Sequence, residues 1–307
     1  MIETTHERSL ANPSPAAARF YHALSRPVPI AIGCVVMLAG LGWIYLALLV
    51  SASRGGALGP GMGPIDWLRE PGGIGTAGRA LIDALCRPSL GQASAWGVEA
   101  GLVLVMWIAM TFAMMLPTAG PMIVTYAEIA ETAARKGEHA VSPLVLTVGY
   151  VGVWLGFAGV ATLVQAALTT LALLDPAMAA VNPLFSGAVF IGAGAYQFSA
   201  LKHACVTRCQ RPFPFFFANW STEPRAILRL GVRQGLYCLG CCWAAMMVMF
   251  AVGVMNVVWM AGLGMIMAAE KLASTTRLSR IVGMVFIAIG TAFIITSVIA
   301  HWPVPPR

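Results

Sequence analysis

Long apolar runs alternate with short polar connections along most of this chain. Apolar residues dominate 29–51, 95–117, 143–173, 184–200, 234–270 and 281–301. A run of roughly 20 such residues can cross the hydrocarbon core of a bilayer as an α-helix. The run 234–270 is too long for one crossing, and Gly253 and Asn256 offer a point where the chain can turn back. The pattern therefore predicts an all-α fold, a polytopic transmembrane helical bundle with about seven spans.

The composition supports a lipid-facing surface. Of the 307 residues, 59% are hydrophobic and only 10% are charged, whereas a water-soluble protein carries about 25% charged residues. The formal net charge is +7, but its Lys and Arg residues lie in the connections and form no basic stripe interleaved with aromatic residues. We therefore expect the lipid bilayer as a partner and no nucleic acid.

The basic residues also predict an orientation. They occur in segments 8–26, 135–136, 202–233 and 271–280, while the connections around 174–183 and 253–257 contain none. The segment 52–93 contains four arginines against this pattern, but a long connection carries less weight in setting orientation. Cytoplasmic connections are enriched in Lys and Arg, so we expect a multi-pass protein of the bacterial inner membrane with a cytoplasmic N-terminus. The predicted parts are a cytoplasmic tail (1–28), a first transmembrane helix with an external loop (29–94), the main helical membrane domain (95–301) and an external tail (302–307).

Three local expectations follow within the main domain. The second span is expected to continue as a helix past Pro117 and Pro121 to Glu131. The segment 201–232 is polar and rich in aromatic residues, and is predicted to be a loop. Glu270 and Lys271 are interpreted as marking a helix end, where long charged side chains extend toward water.

The most informative chemical motif is a group of cysteines. Cys238, Cys241 and Cys242 form a C-x-x-C-C motif at the start of the predicted fifth span. Residues three and four apart share one face of a helix, so these thiols can converge. Cys205 and Cys209 lie just upstream, at the same predicted cytoplasmic end. Because the cytosol keeps thiols reduced, metal binding or redox chemistry is favoured over structural disulfides.

Methionines in the predicted spans offer further sulfur atoms as possible metal ligands. Met106, Met110 and Met114 recur every four residues, and Met246 follows the cysteines. Met is also a flexible apolar filler, so packing alone is an alternative. Thiolates with thioethers favour Cu(I), and thiolates also suit Zn(II); copper is therefore the expected metal, with zinc the less favoured ion. The predicted metal ligands are Cys205, Cys209, Cys238, Cys241, Cys242, Met110, Met114 and Met246.

Four segments carry a resemblance to a known family. They are M-W-I-A-M-T-F-A-M-M-L-P (106–117), Y-Q-F-S-A-L-K-H-A-C-V-T-R-C-Q-R-P (196–212), G-L-Y-C-L-G-C-C-W-A-A-M-M (235–247) and G-V-M-N-V-V-W-M (253–260). Over roughly 95–300 the chain resembles a bacterial family of uncharacterised, predicted metal-binding integral membrane proteins. The resemblance implies a helical membrane bundle with a metal site. It points to Trp107, Met110, Met114, Met115, Pro117, Lys202, Cys205, Cys209, Cys238, Cys241, Cys242, Trp243, Met246, Met255, Asn256 and Met260.

Three functions remain open from the sequence. The first is binding, transport or delivery of a soft metal, with a metallochaperone or a membrane oxidase as partner. The second is a membrane thiol–disulfide oxidoreductase, for which Cys86 is the one convincing external thiol. The third is a non-catalytic accessory or assembly subunit. The chain has no P-loop, G-x-S-x-G or H-E-x-x-H motif, so no catalytic residue and no enzyme class is assigned.

Overall fold

The described part of the chain is all α-helical, as predicted. The computed structural model describes residues 27–52, 95–174, 180–254, 256–273 and 277–300. Within these ranges the helices are α1 (Pro27–Ala52), α2 (Ala95–Arg135), α3 (Pro143–Thr170), α4 (Pro183–Tyr196), α5 (Ala200–Gln210), α6 (Pro212–Ala218), α7 (Pro224–Val252), α8 (Val257–Leu272) and α9 (Arg277–Ala300). The predicted terminal tails and most of the predicted external loop lie outside the described residues.

Five of these helices, α1, α2, α3, α7 and α9, are long and apolar enough to cross a membrane. Helices α4 and α5 meet at a bend of 63°, and they would make a sixth crossing if they form one broken span. Helix α8 has only 16 residues, which is short for a full crossing. The predicted count of seven spans is therefore not confirmed.

The long apolar run divides where its sequence predicted. Helix α7 ends at Val252, and Gly253 adopts φ 99°, a backbone conformation that favours glycine. Asn256 then caps α8, because its side-chain oxygen accepts a hydrogen bond from the backbone N–H of Trp259 at 3.3 Å. A glycine followed by a capping asparagine thus turns the chain between two apolar helices.

The prediction of a loop over 201–232 is wrong. This segment contains α5, α6 and the first part of α7. Ser199 caps α5 by accepting a hydrogen bond from the Lys202 backbone at 3.1 Å, and Pro212 and Pro224 each stand in the first turn of a helix, where proline is favoured. Most of the polar residues occupy the outer side of these helices, while Cys205, Val206, Phe216 and Ile227, together with Lys202, are buried.

Helix α2 continues through both of its prolines, as predicted. A proline inside a helix leaves the carbonyl four residues earlier without its usual donor. For Pro117 that carbonyl belongs to Ala113, and it accepts a hydrogen bond from the indole N–H of Trp43 on α1 at 3.0 Å. The neighbouring helix thereby satisfies the polar group that the proline frees.

Helix α7 lies at the centre of the bundle, packed against α3, α4 and α5. Of its most apolar stretch 67% is buried, against 22% for α1 and 28% for α9. The outward faces of α1, α3 and α9 expose large apolar side chains such as Val36, Leu163 and Val298. A surface of this kind suits contact with lipid more than contact with water.

Candidate metal centre

Three buried thiols of α7 meet at one place inside the bundle. The Sγ atoms of Cys238, Cys241 and Cys242 all lie within 4.8 Å of one another, and those of Cys241 and Cys242 are 3.3 Å apart. Positions i, i+3 and i+4 share one helical face, which is why the sequence spacing brings them together. Among the described residues, this is the one group of three or more His, Cys, Asp or Glu side chains placed to hold a metal ion.

A lysine from α8 contacts this thiol group. The Lys271 ammonium donates to Cys238 Sγ at 3.0 Å and to the Thr118 hydroxyl of α2 at 2.6 Å. The Tyr150 hydroxyl of α3 lies 3.0 Å from the same sulfur and donates to the Met115 carbonyl at 3.2 Å. Side chains from α3 and α8 therefore contact Cys238, and a hydroxyl of α2 holds the Lys271 ammonium beside it.

This arrangement corrects the interpretation of Glu270 and Lys271. Both side chains are buried, with exposed fractions of 3% and 8%, and neither extends toward water. Glu270 forms an ion pair at 2.7 Å with Lys202 of α5, another buried residue. The Glu270 carboxylate pairs with Lys202. The Lys271 ammonium donates instead to the Cys238 thiol and the Thr118 hydroxyl.

Sequence reasoning missed Lys271, Tyr150 and Thr118 as parts of the site. The available signal was the position of Lys271 at the end of an apolar run, since an ionisable residue at membrane depth is more often functional than incidental. Tyr150 and Thr118 gave no comparable signal, because each lies in a predicted span among ordinary apolar neighbours.

Cys205 and Cys209 lie beside the thiol group but outside it. Both are on α5, a helix and not the predicted loop. The Cys209 side chain interacts with Cys241. A Cβ built on Gly240 would lie 2.6 Å from Cys205 Sγ, so this sulfur packs against α7 just before Cys241. The two α5 cysteines are thus neighbours of the cluster on its α5 side.

The predicted methionine ligands are buried in the core. Met110, Met114 and Met246 are all almost fully inaccessible. Trp107 packs on Phe250 with ring centroids 5.4 Å apart, and Lys271 joins Thr118 to Cys238, so α2 and α7 run antiparallel past each other. Met110 and Met114 lie on α2 between these two contacts, and Met246 lies on α7 between them.

Other residues to which the resemblance pointed are placed as follows. Met115 and Met260 are buried, whereas Trp243 is 40% exposed and packs edge-on against Tyr196. Met255 lies outside the described residues, as does Cys86.

The donors present suit a soft metal ion. The described cysteines are free thiols, three of them converge, and a buried ammonium beside one sulfur can offset the negative charge of a thiolate. Thiolate sulfur favours Cu(I) and also suits Zn(II). The cluster therefore fits metal handling.

Comparison with known proteins agrees with this chemistry. A family model described as PpoB2, copper chaperone, matches residues 104–293, well over half of the chain. No curated protein and no solved structure matches the chain significantly. The matched region includes the thiol cluster, Lys271 and the cysteines of α5. The chain therefore belongs to the PpoB2 copper chaperone family.

Proposed function

We propose that this chain is an integral membrane protein that binds Cu(I) at Cys238, Cys241 and Cys242 and passes it to a copper-requiring partner. The observation that carries the proposal is the convergence of three buried Sγ atoms within 4.8 Å on one central helix. Membership of a copper chaperone family supports copper as the metal.

The donor count favours copper over zinc. A structural zinc site has four tetrahedral protein ligands, whereas the group of mutually close thiols among the described residues contains three, and Cys209 stands at its edge beside Cys241. The nearby Glu270 carboxylate already pairs with Lys202. Copper as Cu(I) needs soft ligands, and the Lys271 ammonium offsets part of the charge of the bound thiolates.

We infer that the cysteine and methionine sulfurs on either side of the cluster form a path along which copper moves through the bundle. We assign Cys205 and Cys209 as ligands on the α5 side of the cluster, and Met110, Met114 and Met246 as thioether ligands deeper between α2 and α7. Copper is the cargo, entering through the thiols and leaving toward a membrane oxidase or another cuproprotein. We propose that this route lies within the bacterial inner membrane, which the long apolar helices support; the topology predicted from the sequence has a cytoplasmic N-terminus and seven spans.

The first test is metal content. The full-length protein is purified in detergent under reducing conditions, loaded with Cu(I), desalted and analysed by mass spectrometry. We expect about one copper per chain for the wild type, since the three thiols form one site. The Cys238→Ser/Cys241→Ser/Cys242→Ser variant should lose it, because serine hydroxyls are poor ligands for a soft ion.

The matched control is Cys34→Ser, which removes a thiol of α1 outside the cluster and should leave the copper content unchanged. A wild-type protein that takes up no copper would contradict the proposal. If it instead showed a reversible, redox-dependent shift in electrophoretic mobility that the triple variant lacked, the thiol–disulfide oxidoreductase function would be favoured.

A further inference from the structure

Exposed arginines are concentrated in the segment that contains α5, α6 and the first part of α7. In the segment 199–233 all arginines are exposed, and Glu223 is the one acidic residue. We name this the arginine surface; its members are Arg208, Arg211, Arg225, Arg229 and Arg233. Such a concentration of one charge sign creates a potential that attracts anions.

Cys209 connects this surface to the buried cluster. It lies between Arg208 and Arg211 in the sequence and is half-buried, whereas Cys205, Cys238, Cys241 and Cys242 are buried. Its side chain interacts with Cys241. Arg208 is also close enough to Cys205 to interact with it electrostatically. A soft ion arriving from outside would therefore meet the Cys209 sulfur before it reached the three converging thiols.

Among the residues that the structure describes, no carboxylate pairs with the arginines at this entrance. The Arg208 guanidinium donates to the Tyr237 hydroxyl at 2.9 Å and lies 5.1 Å from the centre of that ring. These contacts fix its position but leave its positive charge in place. The ion pairs within the described residues are Arg135–Glu131 and Lys202–Glu270, so neither Arg208 nor Arg211 is paired there.

We propose that Cys209 is the entry ligand and that Arg208 and Arg211 select copper presented as a small anionic Cu(I)–thiolate complex. This rests on the proposed copper-binding function. A Cu(I) ion held by two thiolates has a net negative charge, and the arginines attract it. A small complex fits because the Cys209 side chain is half-buried and offers little exposed surface.

The transfer is a ligand exchange without a redox change. A bond forms between Cu(I) and Cys209 Sγ while one bond between Cu(I) and a donor thiolate breaks. The Cys209 thiol gives up its proton, and the released donor thiolate takes up a proton in turn. The copper then moves to Cys241 by a second exchange of the same kind, and remains Cu(I) throughout.

The test compares two chromogenic Cu(I) donors of opposite charge. The full-length protein in nanodiscs of phosphatidylcholine receives Cu(I) from the anionic bathocuproine disulfonate complex or the cationic neocuproine complex, and the loss of donor colour gives the rate. For Arg208→Gln/Arg211→Gln we expect at least about a tenfold slower transfer from the anionic donor at low salt. Transfer from the cationic donor should not slow, and the final copper content should equal that of the wild type.

Two further variants make the result specific. Arg135→Gln/Lys136→Gln removes the same charge from another exposed connection and should load at the wild-type rate. Cys209→Ser should slow transfer from both donors while the three thiols of α7 still fill at equilibrium. Equal rates for Arg208→Gln/Arg211→Gln and the wild type would overturn the proposal and leave anionic lipid as the partner of these arginines. A wild type that binds no copper from either donor would instead remove the proposed function itself.

Discussion

Lys271 is a buried cation whose hydrogen bonds go to a thiol and a hydroxyl. A charged group inside a bundle of apolar helices is costly unless it is paired. Its ammonium lies 3.0 Å from Cys238 Sγ, so a Cys238 thiolate is its natural counter-charge. On this account Lys271 stabilises the copper–thiolate complex more than the metal-free site, because three thiolates around one Cu(I) carry more negative charge than the single thiolate of Cys238.

Replacing this lysine tests its role. In Lys271→Met the copper–thiolate complex loses a charge-assisted hydrogen bond, worth about 1.5–3 kcal/mol. We therefore expect Cu(I) affinity to fall about tenfold to a hundredfold. The affinity is measured by competition with bathocuproine disulfonate, and thermal unfolding of the same sample checks that the fold is retained.

The control for this prediction is Lys136→Met, which removes an exposed lysine outside the cluster and should leave copper affinity unchanged. If Lys271→Met folded normally and bound copper as tightly as the wild type, Lys271 would be only a structural link between α8 and Thr118.

At the residue scale, the sequence predicted that the three cysteines converge, but it did not predict which residues from other helices contact them. The C-x-x-C-C spacing predicted convergence because helical periodicity is a local property. The contact between Lys271 and Cys238 joins residues 33 positions apart, and the pairing of Lys202 with Glu270 joins residues 68 apart. Contacts over such separations depend on how the helices pack, which no local pattern encodes.

At the scale of elements, the close approach of α3 and α7 positions Tyr150 against the cluster. A Cβ on Gly231 would lie 2.1 Å from the Leu146 carbonyl oxygen, and one on Gly149 would lie 2.4 Å from that of Leu228. Small residues of this kind let helix backbones pack closely in a membrane. Tyr150 follows Gly149 directly, so the glycine contact sets its distance from Cys238.

A single methyl group should disturb this contact. Gly231→Ala places its Cβ against a backbone oxygen, so the helices must separate, at a cost of about 1–3 kcal/mol. We expect a lower temperature of thermal unfolding in detergent and reduced copper loading, because Tyr150 and α3 move away from Cys238.

The matched control lies on α3 itself. Gly152→Ala adds the same methyl group where no atom lies within 4 Å, and alanine favours a helix over glycine by about 1 kcal/mol. This variant should therefore be as stable as the wild type or slightly more stable. Equal destabilisation of the two variants would show that the clash at Gly231 does not matter.

Element prediction succeeded where hydrophobic periodicity was long and failed where polar residues interrupted it. The division at Gly253 and the continuation of α2 through its prolines were both predicted correctly. The segment 201–232 was taken for a loop because its charged side chains conceal one buried face. Helix α8 has the apolar character of a span without the length, which explains why the predicted count was higher than the five or six candidates found.

At the scale of the whole molecule, an apolar exterior surrounds an interior that contains sulfur and charge. The most buried helix, α7, carries the cysteine cluster near its middle, and the peripheral helices α1 and α9 expose apolar faces. Buried charges at membrane depth mark functional sites, and here they lie beside the thiols. The composition predicted such an exterior, since only 10% of the residues are charged.

The central claim is that one Cu(I) ion is held by the three cysteines of α7. X-ray absorption at the copper edge of the loaded full-length protein reports the oxidation state and the atoms bound to the metal. The account predicts Cu(I) with an all-sulfur shell in the wild type, and loss of that shell in the Cys238→Ser/Cys241→Ser/Cys242→Ser variant. A shell dominated by nitrogen or oxygen, or the same sulfur shell in both proteins, would contradict it.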